Sequence, residues 1–143
     1  MRAVDTNVLV FAQIESTAEH DAARNLLEEL AEGPSPWAIP WPCVYEFLRL
    51  VTHPRVFDPP VPVAHALINL RKLMSSPTLV MIGESPRHID TMEHVFDESA
   101  AIGNLAQDAH IAAICIESGV SELLTGDRDF ARFPQLRVTN PFR

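Results

Sequence analysis

Residues 1–12, MRAVDTNVLVFA, set Asp5, Thr6 and Asn7 into the middle of an otherwise apolar run. Such a run should be buried, as strand or helix. A buried carboxylate loses hydration at a cost of several kcal/mol unless a partner compensates it. No lysine stands near Asp5 in sequence. The first expectation is therefore a short buried strand over residues 2–5 that carries Asp5 at its C-terminal end. What neutralises Asp5 then becomes the central question.

The rest of the chain alternates strand and helix signals. Residues 18–31, AEHDAARNLLEELA, place Ala22, Leu26, Leu27 and Leu30 on one face of an amphipathic helix that Gly33 and Pro34 end. WAIP (37–40) reads as a strand. Pro42 suits the first turn of a helix through CVYEFLRLVT, with Val44, Phe47, Leu48 and Val51 inward and Glu46 in the first turn. Residues 53–62 hold four prolines and read as a surface loop. A helix over 62–75 should bury Ala66, Leu67, Leu70 and Leu73 or Met74, and 78–83 should be a buried strand. Ser85 and Pro86 look like the cap and first residue of the next helix. A largely apolar helix follows from Leu105 or Gln107, ended by Gly119. VSELLTG is a short strand, DRDFARF a turn or short helix, and LRVT (136–139) a last strand.

The order β-α-β-α-α-β-α-α-β-α-β, with strands apolar on both faces, predicts an α/β fold: a three-layer α/β/α sandwich around a parallel sheet. Its 143 residues suit one domain, 1–143, large enough for its own core. No N-terminal targeting pattern is visible, and no apolar run approaches the roughly 18 residues of a membrane span. A cytoplasmic protein without membrane contact is expected. Cys43 and Cys115 read as two buried, reduced thiols. The six histidines form no HxH or HExxH pairing, so no zinc site is expected.

The net charge of −8 has the wrong sign for a general nucleic-acid binder. It has the right sign for carboxylates gathered around a hard cation. In a parallel sheet, ligands bind at the C-terminal strand ends, near the switch point of the strand order. Asp5, Glu46, Asp108 and Asp127 all fall at strand ends or near helix starts. Taken singly, Glu46 and Asp108 could be ordinary acids favoured by a helix dipole, and Asp127 a turn residue in GDRD. Taken together at one sheet edge they would repel one another. A divalent cation such as Mg²⁺ relieves that repulsion and binds substrate phosphates. The chemistry implied is metal-assisted hydrolysis of a phosphodiester.

VDTNVLV, the helix glutamate Glu46, QDAHIAA and LLTGDRDFARF together resemble the PIN domain, and more narrowly the VapC toxins of VapBC toxin–antitoxin modules. The resemblance runs from Asp5 to the closing TNPF. It implies a Mg²⁺- or Mn²⁺-dependent ribonuclease, with Asp5 and Asp108 as principal metal ligands and Glu46 and Asp127 completing the acid quartet. It further implies that Thr6 and Asn7 orient Asp5 and that Thr125 bonds the acids or a bound water. Asp129 either joins the site or caps the FARF turn while Phe130 packs inward, with capping the favoured reading. Gln107 stands where relatives often carry other polar residues, which leaves Asp108 itself intact.

The partners implied are an RNA such as tRNA or rRNA, whose cleavage would inhibit translation, a second copy of the chain, and a VapB-type antitoxin. The antitoxin would lie in an apolar groove between helices of residues 18–75 and would supply the contact with operator DNA. Arg49, Arg55, Arg128 and Arg132 are candidate phosphate contacts. Other readings are a PIN nuclease of RNA maturation or decay, or a non-catalytic pocket that receives a regulator. An aspartyl phosphotransferase would need an acid two residues after Asp5, where Asn7 stands. With so few basic contacts, RNA affinity should fall only shallowly as salt is raised; a steep slope in a binding titration would reveal a basic surface that this reading lacks.

Overall fold

The computed structural model describes residues 1–143. Its elements are β1 (Arg2–Val4), α1 (Thr6–Gln13), α2 (His20–Glu32), β2 (Trp37–Pro40), α3 (Trp41–Val51), α4 (Val63–Met74), β3 (Leu79–Ile82), α5 (His88–Ser99), α6 (Ala106–Glu117), β4 (Glu122–Leu124) and β5 (Arg137–Thr139). Short 3-10 turns span Gly103–Leu105 and Arg128–Arg132. The five strands form one parallel sheet in the order β3-β2-β1-β4-β5. Strand β1 is therefore central. The chain builds outward through β2 and β3, then crosses back to β4. Right-handed crossovers put helices of opposite travel on opposite faces of a sheet. Accordingly α1 packs with α2 and α3, while α5 packs with α6. The predicted α/β/α sandwich is the observed fold, and no helix is long and apolar enough to cross a membrane.

The main addition to the sequence reading is α1. The apolar residues after Asp5 do not prolong the strand. They form a helix at once, with Val8, Leu9 and Val10 buried. Two of these are β-branched and favour strands by propensity, but burial against α2 and α3 overrides that preference. Thr6 and Asn7 thus open a helix instead of making a free-standing turn.

Smaller corrections follow from packing. In α2, Ala23, Leu27 and Leu30 are buried, whereas Ala22 faces solvent. In α4, Ala66 and Leu70 carry the core contact and Leu67 stays 48 % exposed. Helix α5 starts at His88, three residues after Ser85, and Ser85 makes a turn bonded to Glu117 instead of a cap. Glu46 lies in the middle of α3, not in its first turn, because the helix already begins at Trp41. The proline-rich 53–62 segment is irregular, as expected. Gly119 ends α6 with φ +75°, a left-handed conformation that a side chain resists. Both cysteines are free and buried.

The core joins the inner strands to the helices on both faces. Trp37, Ile39, Ile114, Leu123 and Phe130 are among its fully buried side chains. Phe130 packs against Phe133 with ring centroids 5.9 Å apart, which anchors the 3-10 turn beyond β4. Phe130→Ala should cost about 3–5 kcal/mol in urea unfolding. A loss below about 1 kcal/mol would mean that this turn does not belong to the cooperative core.

Candidate metal centre

The reversal of strand order falls between β1 and β4. At that point the crossover helices leave in opposite directions and a crevice opens at the C-terminal strand ends. Asp5 directly follows β1, and Thr125 to Asp127 directly follow β4. The backbone stitches the two ends together, with Asp5 N donating to the Leu124 carbonyl at 3.1 Å.

Asp5 is only 4 % exposed. Its Oδ2 accepts from the Thr125 hydroxyl at 2.7 Å and from Asn7 Nδ2 at 3.0 Å. The Cys43 thiol lies 3.6 Å from Oδ1. Asp5 also holds the backbone position that caps α1, but its side chain caps nothing and is left for the crevice. Burial raises its pKa above the ordinary carboxylate value. The Thr125 hydroxyl, the Thr6 N–H and the Cys43 thiol oppose that rise without cancelling it. Burial and the nearby Asp5 charge push the Cys43 thiol well up, so it remains a protonated donor.

Asn7 works with both ends of its amide. Nδ2 donates to Asp5 and, at 2.9 Å, to Thr125 Oγ1, while Oδ1 accepts from the Gly126 N–H at 3.0 Å. Thr125 is equally committed. Its hydroxyl donates to Asp5 and accepts from Asn7 and from the Asp127 N–H at 3.0 Å. That uses its one proton and both lone pairs. The expected orienting role of Asn7 and the expected bond from Thr125 to an acid thus have a geometric basis. Gly126 sits where a Cβ would come within 3.2 Å of the Phe142 ring, so a larger residue would disturb this turn.

In front of Asp5 stand three more acids. Carboxylate oxygens of Asp108, Asp127 and Asp129 lie within 4.8 Å of one another. Asp108, in the first turn of α6, is half-buried, and its pKa rises to about 7. Burial is the largest cause, followed by the charges of Asp127, Asp5 and Asp129. Four acids thus share one field with no cationic side chain against them. Oxygen donors in this number suit a hard divalent cation better than a soft one.

Asp127, and not Asp129, caps the Arg128–Arg132 turn, since its Oδ1 accepts from the Asp129 N–H at 2.9 Å. That bond leaves the Asp129 carboxylate free to join the cluster, contrary to the expected capping role. Glu46 departs from expectation too. It is held by Arg49 at 2.6 and 3.0 Å and lies outside the carboxylate cluster. The pair lines a separate shallow cleft with Trp41, Tyr45 and Gln107. Arg49 is thereby occupied, while Arg55, Arg128 and Arg132 are exposed and unpaired. Cys43 was the contact that sequence reasoning missed. Its only sequence signal was an apolar neighbourhood, and only the β1–β2 pairing brings it to Asp5.

The raised pKa of Asp108 has a definite consequence without cations. The folded state holds that proton more tightly than the unfolded state, whose pKa is near 3.8. Stability is therefore greatest below about pH 4 for this group and declines as pH rises to about 7. In EDTA, Asp108→Asn should raise the melting temperature at pH 8 and shrink that decline. An unchanged pH profile in thermal melts would refute the coupling.

A family model for the PIN domain matches residues 2–136. The chain is similar to Ribonuclease VapC48 of Mycobacterium tuberculosis, 33 % identical over 138 residues that cover 96 % of this chain and 95 % of that one. It is also similar to Ribonuclease VapC43 of the same species, 36 % identical over 99 % of this chain and 95 % of the other. Among solved structures, VapBC2 of Rickettsia felis bound to a promoter DNA fragment superposes with TM-score 0.69 at 23 % identity, covering 97 % of each chain. FitAcB of Neisseria gonorrhoeae superposes with TM-score 0.70 at 17 % identity over 100 % of this chain and 99 % of that one. These two likenesses concern the fold. The match to the family model and to the full-length relatives, on a sheet whose switch point gathers four carboxylates, places the chain in the PIN-domain family, among the VapC ribonucleases.

Proposed function

We propose that this protein is the toxin of a toxin–antitoxin pair, an endoribonuclease that hydrolyses RNA phosphodiester bonds with a divalent cation, Mg²⁺ or Mn²⁺. The observation that carries this reading is the gathering of Asp108, Asp127 and Asp129 in front of Asp5 at the strand ends, with no cationic side chain paired to them. The VapC relatives are named ribonucleases, which supports the same chemistry.

Asp5 and Asp108 would hold the cation, with Asp127 and Asp129 on its open side. Bound there, a divalent cation supplies Lewis acidity to the scissile phosphate and activates the attacking water. Thr125 and Asn7 keep the Asp5 carboxylate in one orientation, so little reorganisation is needed when RNA arrives. Asp129 is the most exposed of the four, and its carboxylate would be the one to take a proton from the attacking water. Arg128, between two of the acids in sequence, and Arg132 are the nearest candidates to meet RNA phosphates; Arg55 is a further one. Glu46 joins this machinery only by exchanging its bond with Arg49, which would free that guanidinium for a phosphate.

The antitoxin reading has support in a groove of about 700 Å³ formed by α1 to α4. Leu9, Ala12, Leu27, Phe47, Leu70 and Leu73 line it. An amphipathic antitoxin segment fits this setting, as helix-in-groove recognition requires. A solved neighbour from Klebsiella pneumoniae is a toxin–antitoxin complex, which supports the same partner class. A strip of α4 exposes Val63, Leu67 and Ile68 at 54, 48 and 52 %, and supports pairing of two copies.

Purified protein should cleave RNA in Mg²⁺ and stop when EDTA is added. Asp5→Asn should fall to background while its circular dichroism and melting remain those of a folded protein. Thr125→Val should lose about 10–100-fold in activity or metal affinity, and Thr125→Ser should retain most of it. Equal cleavage by wild type and Asp5→Asn, or none by either, would end the nuclease reading. Mapping of new 5′ ends after induced expression would then name the RNA and separate a toxin from a maturation nuclease.

A further inference from the structure

A second cluster of metal-ligating side chains lies away from the carboxylate centre. Glu84 follows β3, His88 is the first residue of α5, and His110 stands on α6. Ligating atoms of all three lie within 4.8 Å of one another. The imidazoles meet edge to face with ring centroids 5.1 Å apart. His110 Nε2 is 2.9 Å from Glu84 Oε1.

Behind His88 stands a fourth residue. Glu117 is 7 % exposed, and its Oε1 lies 2.7 Å from His88 Nδ1. The Ser85 N–H and hydroxyl also donate to Glu117, at 3.0 and 3.1 Å. Burial tends to raise the Glu117 pKa, but these donors and His88 outweigh it, and the carboxyl ends below its ordinary value. An ionised carboxylate at Nδ1 fixes the proton on that nitrogen. The other nitrogen, Nε2, is buried and has no hydrogen-bond partner. An imidazole held by a carboxylate on one nitrogen, with the other unpartnered and turned from water, is the arrangement of a metal-binding histidine.

We propose that Glu84, His88 and His110 form a site for a late first-row divalent cation of the Zn²⁺ or Co²⁺ kind, with Glu117 as the residue that orients His88. Two imidazoles and one carboxylate suit such metals better than Mg²⁺, which prefers oxygen alone. The present spacing needs some contraction, because ligands at about 2.1 Å from a tetrahedral metal lie about 3.4 Å apart. Glu84 is half exposed and free to make that adjustment. The cation would replace the proton shared by His110 and Glu84. This reading was not foreseen from the sequence, where no short histidine spacing announced it. Glu84 and His88 are four residues apart, but His110 lies 22 residues beyond His88, and only the packing of α6 on the β3–α5 junction brings it to them.

The site is separate from the carboxylate centre although His110 is only two residues from Asp108. Side chains two apart on a helix point to different faces. His110 and Glu84 instead line the cleft that holds Glu46, Arg49 and Gln107, so a fourth coordination position would be supplied from that cleft. Three ligands from β3, α5 and α6 would tie the α5–α6 layer to the sheet edge and fix the helix that carries Asp108.

The test reads metal binding and does not depend on RNA cleavage. Co²⁺ is titrated into the Asp5→Asn protein, in which the carboxylate centre is weakened, with Mg²⁺ in excess. One equivalent should give the visible absorption of nitrogen-ligated Co²⁺ and raise the melting temperature. His110→Gln and Glu84→Gln, both at partly exposed positions, should each weaken binding at least about 10-fold, and Glu117→Gln about 10–100-fold. His88→Gln should abolish the absorption; if it fails to fold, the His110 and Glu84 variants decide alone. No absorption in the Asp5→Asn protein, full competition by Mg²⁺, or unchanged binding in His110→Gln would overturn the proposal.

Discussion

The hydroxyl of Thr125 donates to Asp5, accepts from Asn7 and accepts from the backbone of Asp127, and those three bonds tie the ends of β1, α1 and β4 to one another. A buried carboxylate is tolerated only where donors replace its lost water. Here the donors come from the start of α1, from α3 and from the residue after β4, the last of them 120 positions from Asp5 in sequence. The crevice at the switch point exists because β1 and β4 are neighbours while their helices diverge. Loss of the Thr125 hydroxyl would therefore leave Asp5 poorly satisfied and free the turn that positions Asp127.

Electrostatics and packing oppose each other at this site. Buried Phe130 anchors the turn that carries Asp127 and Asp129, the first turn of α6 carries Asp108, and the charges so gathered repel one another. The raised Asp108 pKa reflects burial first and that repulsion second. A protein under pressure for stability alone would not gather acids in this way, since a raised carboxyl pKa lowers stability at neutral pH. Conflicts of this kind between local energetics and the fold cluster at functional sites. The Glu46–Arg49 pair is the opposite case. There the charge is already balanced within one helix, and nothing demands a cation.

How much was legible beforehand varied with the range of the interaction. Parallel strands announce themselves by short apolar runs, so β2, β3 and the overall α/β order were readable within a residue or two. Helix α1 was not. Its Val8-Leu9-Val10 run satisfies a buried strand and a buried helix equally, and only packing on α2 and α3 selects the helix. Asp5, Asp108 and Asp127 were legible because each stood at the end or start of an element. Asp129 was misjudged because the choice between capping and clustering turns on one hydrogen bond, which Asp127 takes. Ser85 was misjudged for a similar reason, since Glu117 competes for its hydroxyl.

The sequence by itself determined the element order apart from α1, the parallel sheet and the strand-end placement of the acids, because these follow from local hydrophobic period and turn chemistry. Only the tertiary structure decided which acids share a field, that Cys43 serves Asp5, and that two histidines and a glutamate meet between the β3–α5 junction and α6. Those outcomes depend on strand order and on side-chain direction across long stretches of chain. No local pattern carries that information, because the free energy that selects it is gained only when distant elements pack.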